Sequence, residues 1–291
     1  MLEMLLNPKR AERKPWELFF VGFAYSAISL ILANLLFASN PVFSKHISVL
    51  VITFTVMFSM PFFYMMIKLE EERNYNEEGR SLIMSHGRSI SALMWLFFGF
   101  VMAYSLVYVL FPGMVGQSFE AQLEQYCQIN MPNNMVECVT KNGGVFAGGF
   151  ANAYLTGEVT TKQYALSIFV NNIYVMIFSL IFSLIFGAGA IFILAWNASV
   201  IATAVGIFAK SSITNLPAAL SRYMIHGLPE ISAYFVAALA GGIIGVALIK
   251  HDMRDKLFWK AVKDSLNLVL LSFLLLVVGL LIEVFITPKF F

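Results

Sequence analysis

Residues 266–285 read LNLVLLSFLLLVVGLLIEVF, with Glu283 as the one charged side chain. A helix rises about 1.5 Å per residue, so about 20 apolar residues cross the roughly 30 Å hydrocarbon layer of a bilayer. The run is continuously apolar, whereas a barrel strand alternates between lipid-facing and lumen-facing residues. It therefore predicts a transmembrane helix. Six further stretches satisfy the same test: Leu18–Phe37, Ile47–Ile67, Ile90–Phe111, Tyr164–Phe186, Ala190–Phe208 and Pro229–Ile249. The expected fold class is all-α, a polytopic bundle of about seven transmembrane helices.

Composition agrees. Of the 291 residues 59% are hydrophobic and only 12% charged, about half the charged fraction of a soluble domain. Such a chain lacks the polar shell that a soluble core needs. The same apolar content excludes disorder, and a net charge of +2 gives no footprint for nucleic acid. Two cysteines exclude a disulfide-dense scaffold and a multi-cysteine metal cluster. No cofactor or metal is expected, and the first partner is the lipid bilayer of the cell membrane.

Orientation follows from the cations, which stay on the cytoplasmic side. With the N-terminus inside, 13 Lys and Arg fall inside, among them Lys9 to Lys14, Lys68 to Arg88 and Lys250 to Lys263, against six outside. The C-terminus is then outside. Trp16, Trp95 and Trp259 lie near the inner interface, where aromatic belts form. The first run is expected to stay as a signal anchor, because Asn40-Pro41 opens a turn after it and no small-residue cleavage site follows. The tightest turn falls at Gly187-Ala188-Gly189. A kinked single helix there would give six spans and put Lys250–Lys263 outside, against the charge rule.

This divides the chain into a three-span region, 1–111, an extracytoplasmic loop, 112–163, and a four-span region, 164–291. The loop holds both cysteines, Cys127 and Cys138. A disulfide is expected, since the compartment is oxidising; the alternatives are buried free thiols or a metal site that lacks any histidine in the loop. Ser118–Gln128 reads as a short helix with Ser118 as N-cap and Glu120 and Glu124 on its solvent face. The apolar, glycine-rich run Gly143–Phe150 is open between a packed loop, a lid and a re-entrant turn. The inner segment Lys68–Arg88 is expected to be a solvated helix extension, or a docking surface. Lys250–Asp264 reads as an amphipathic linker with Phe258 and Trp259 at the interface.

Polar groups within hydrocarbon are costly and so are candidates for function. Asn171 and Asn172 enter the fourth span, Asn197 lies within the fifth, and Glu283 near the end of the seventh. Thr214-Asn215-Leu-Pro217 is expected to start a short helix running through Arg222 to Ile225. His226-Gly227 would end it with a left-handed glycine, and Pro229 would open the sixth span, setting Glu230 at its positive dipole end. Asn171, Asn172, Arg222, His226, Glu230 and Glu283 then share the outer half of the membrane. They either tie helices together, with Arg222 paired to a glutamate, or form a binding site or proton path. Gly241 and Gly245 form a Gly-x-x-x-Gly pair, and Gly187, Gly189 and Gly206 add small residues on the fifth span. Such faces pack within a bundle or between copies in a homo-oligomer.

The order Asn171-Asn172, Gly187-Ala188-Gly189, Asn197 with Gly206, then His226-Gly227-Leu228-Pro229-Glu230 before a small-residue span resembles the stage II sporulation protein M family. The resemblance covers about the C-terminal half. It departs from the family at Ile225, where proline is frequent. It implies that Asn171, Asn197, His226, Gly227 and Glu230 are signature residues, and that the chain is a membrane scaffold with protein partners in the membrane or envelope. In spore formers such proteins recruit peptidoglycan-degrading partners; nothing in this sequence identifies a spore former.

No catalytic motif is present: neither His-Glu-x-x-His, Gly-x-Ser-x-Gly, a phosphate loop nor Cys-x-x-Cys. The expected function is a non-enzymatic scaffold or assembly factor. The alternative is a transporter or channel for a small solute or ion using the outer polar cluster. An intramembrane enzyme with His226 and Glu230 as acid and base lacks a nucleophile or metal shell.

Overall fold

The computed structural model describes residues 14–76, 82–131, 134–143, 161–186, 190–209, 212–250 and 254–290. Among them there are helices and turns and no strand. The long helices are α1 Glu17–Phe37, α2 Ile47–Asn76 and α3 Leu82–Leu110. Three short ones follow, α4 Pro112–Ser118, α5 Glu120–Asn130 and α6 Met135–Gly143. Then come α7 Thr161–Phe186, α8 Ala190–Ala209, α9 Leu216–Lys250 and α10 Lys256–Leu281; a π-helical turn, Ile282–Ile286, leads into α11 Thr287–Phe290. Among the described residues, seven helices are long and apolar enough to cross a membrane: α1, α2, α3, α7, α8, α9 and α10. The glycine turn Gly187–Gly189 and most of the run Gly143–Phe150 lie outside the described residues.

The helices form two groups bridged by α8. In one, α1 lies against α3 and α2; in the other, α9 lies against α7 and α10. The bridging helix α8 packs on α2, α3, α7 and α9. The most apolar window of α9 is 78% buried and that of α10 only 17%, so α9 is the central strut and α10 the lipid-facing flank. Lipid tails are as apolar as leucine, so close backbone approach replaces the hydrophobic drive that holds soluble helices together. A Cβ on Gly22 would run into the Leu96 carbonyl, and one on Gly99 into that of Phe19. On the other side, Cβ atoms on Gly241 and Gly245 would meet the carbonyls of Leu180 and Leu184 on α7. The Gly-x-x-x-Gly face is thus filled within the chain. Gly206 serves α8 in the same way, lying flat against the Tyr108 ring.

One expected break does not occur. Helix α9 runs unbroken from Leu216 through Gly227 and Pro229 to Lys250. Gly227 does not have the left-handed backbone of a cap, and Glu230 lies mid-helix instead of at a dipole end. Inside a membrane bundle proline is tolerated, because neighbouring groups re-satisfy the freed carbonyl. Since Gly227 is helical and only the Met224 methyl lies within 4 Å of an added Cβ, Gly227→Ala is expected to raise stability by about 0.5–1 kcal/mol. Thermal unfolding in detergent checks this; a capping glycine would give the opposite sign.

The segment after α3 also differs from a surface loop. Ser118 closes α4, and Phe119 takes the N-cap position of α5. The Ser118 hydroxyl instead exchanges hydrogen bonds with the Asn34 amide on α1, at 3.0 and 3.2 Å. Phe119 is buried against the Tyr104 and Tyr108 rings of α3. Gln125 accepts from the Trp196 indole N–H at 2.5 Å. Trp196 lies 13 residues before the end of α8, about 20 Å along that helix. The α4–α6 hairpin is therefore a wedge sunk between the spans. Cys127 and Cys138 are joined by a disulfide that ties α5 to α6, with their Cα atoms 5.8 Å apart. Glu120 and Glu124 lie on the exposed face of α5, as the pattern predicts, and Gln128 extends it. At the other end of the bundle Trp259 is exposed as expected, but Phe258 is buried against α9, because α10 already starts at Lys256.

Candidate functional site

The unbroken course of α9 has a chemical consequence. His226, Glu230 and Tyr234 are spaced four apart, so they stack along one helix face. Helix α7 contributes Asn172 to that face. Its Oδ1 accepts from the Tyr234 hydroxyl at 2.9 Å and from the Asn171 amide at 3.4 Å. This leaves the Asn172 N–H groups to donate, and they serve the Glu230 carboxyl. From α10, Gly279 makes the room: a Cβ there would lie 2.6 Å from Glu230 Cγ. One turn further along the same face, in the π-helical turn, Glu283 meets the Glu230 carboxyl side chain to side chain.

The π turn is held by Thr287. Its hydroxyl and its backbone N–H both donate to the carbonyl of Ile282, five residues back, the former at 3.2 Å. The Thr287 hydroxyl also lies 3.4 Å from His226 Nδ1. Single π turns widen a helix locally and recur at functional sites. Here the extra residue sets Glu283 and Thr287 toward α9. Just below, the Ser272 hydroxyl donates to the Ala233 carbonyl at 2.8 Å and pins α10 to α9. The cluster is thus built by α7, α9, α10 and the π turn.

Four of the sequence candidates, Asn172, His226, Glu230 and Glu283, are brought together, and Asn171 borders them. Two others point elsewhere. Asn197 donates to the Ile193 carbonyl of its own helix at 2.7 Å. The Arg222 guanidinium lies over the Phe208 ring, 5.0 Å from its centre, next to Tyr223 and Tyr126. Tyr126, on the wedge, hydrogen-bonds with Tyr223; burial raises its phenol pKa, while that hydrogen bond and the Arg222 charge act in the opposite direction. Sequence reasoning missed Tyr234, Gly279 and Thr287. The i, i+4, i+8 spacing of His226, Glu230 and Tyr234 was the available signal, and Pro229 masked it. An apolar groove of about 200 Å³ lies elsewhere, between α1, α3 and α9, with Phe19, Trp95, Met102 and Met224 in its wall. No group of three or more metal-ligating side chains occurs among the described residues.

The fold and the site define a polytopic helical membrane protein with a polar cluster set among otherwise apolar helices. The family model for stage II sporulation protein M matches residues 91–288. The chain belongs to that family. It is also similar to an uncharacterized protein of Methanocaldococcus jannaschii, 38% identical over 128 residues, which is 42% of this chain and 70% of the relative. No solved structure matches.

Proposed function

We propose that the protein is a non-enzymatic scaffold of the cell membrane, whose stapled hairpin meets partners outside the cytoplasm. The observation that carries this reading is the α4–α6 wedge. It is anchored to α1, α3, α8 and α9 through Asn34, Tyr104, Trp196 and Tyr223. It turns Glu120, Glu124 and Gln128 outward on one face of α5. A rigid, preorganised face loses little conformational entropy when a partner docks. The close glycine packing of the spans suits a platform better than a moving part.

A transporter of a small ion is the second reading, and the Glu230–Glu283 pair within the spans favours it. One pair of measurements separates them. A photo-crosslinker at position 124 in cells is expected to trap a discrete envelope protein, and purified protein in vesicles is expected to pass no ion or solute above empty vesicles. Flux without a crosslinked partner would reverse the assignment.

A further inference from the structure

The Glu230–Glu283 contact raises a question of charge that the scaffold reading leaves open. Two ionised carboxylates cannot hydrogen-bond to each other, since neither carries a donor. Like charges in contact cannot both stay ionised; one proton between them removes the conflict. Among the described residues, the groups around the pair supply no countercharge. From α7 comes the neutral Asn172 amide, from α9 the Tyr234 hydroxyl and His226, and from α10 Gly279. Thr287 follows the π turn, and the Arg222 guanidinium is directed at Phe208, beyond His226. Neither glutamate is in a salt bridge among the described residues. One oxygen, Glu230 Oε1, is screened from solvent and has no hydrogen-bond partner. A buried acceptor without a donor is costly and marks a position where a donor proton fits.

We propose that Glu230 and Glu283 form a binding site for one exchangeable proton, reached past His226 and Thr287 from the cysteine-bearing end of the bundle. Binding adds one O–H bond to a carboxylate oxygen. The proton comes from water at that end, and no other bond breaks. The acid formed then donates to its partner carboxylate, and the Asn172 amide stabilises the remaining negative charge. His226 and Glu283 are both half-buried, so the route outward is short. Gly279 and the π turn give the two carboxyl groups space to meet. The site goes beyond the scaffold reading and does not depend on it.

The test is infrared difference spectroscopy of the full chain in lipid nanodiscs, titrated with pH. A carboxylic-acid C=O band is expected to appear as pH falls, to shift in heavy water, and to be absent from both Glu230→Gln and Glu283→Gln. Glu137→Gln, on the exposed part of α6, is expected to keep it. A wild-type spectrum with no titrating acid band would overturn the proposal without any variant having to fold. So would a band that survives in both glutamine variants. Replacing choline by sodium at fixed pH is expected to leave the band unchanged; its loss would assign the site to the alkali ion instead.

Discussion

Gly241→Val is expected to destabilise the bundle by about 3 kcal/mol or more, the upper end of overpacking costs. A single Cβ at this position already meets the Leu180 carbonyl, and backbone cannot step aside as a flexible side chain can. The two helices would have to separate. That would withdraw the face carrying Asn172 from the face carrying Glu230 and Tyr234. Thermal unfolding in detergent measures the loss. Gly113→Ala is the control, since nothing lies within 4 Å of its added Cβ. A Gly241→Val protein as stable as wild type would show that α7 and α9 do not pack closely.

Cys127→Ser or Cys138→Ser is expected to loosen the hairpin by about 3 kcal/mol, the loop-closure contribution of a bond spanning 11 positions. Cys127 is fully buried, so the serine variants also set a hydroxyl where the sulfur packs. Limited proteolysis should cut the α5–α6 connection in the variants, and in the wild type after reduction, while the spans stay intact. Equal resistance before and after reduction would mean that wedge packing alone holds the hairpin.

Spans were legible because the membrane imposes one length on every crossing helix, and runs such as 266–285 meet it without ambiguity. The cysteine pairing was legible from compartment. The course of α9 was not. Local signals at Gly227 and Pro229 read as a cap and a restart, as they would in water, but a bundle interior satisfies a displaced carbonyl and lets the helix continue. That one error hid the alignment of His226, Glu230 and Tyr234. The wedge was hidden for a related reason. Residues 120–130 look polar enough for a surface segment, and nothing in their local pattern announces that Gln125 reaches the Trp196 indole within α8. Long-range partners of this kind leave no periodic trace.

At 35 residues α9 is about 52 Å long, well beyond the hydrocarbon thickness. Near its start Tyr223 is fastened to the wedge, at its middle Glu230 carries the carboxyl pair, and near its end Gly245 is clasped by α7. A stiff rod gripped at three heights cannot lean without breaking one of those holds, so α9 fixes the spacing between the hairpin, the carboxyl pair and the α7 clasp.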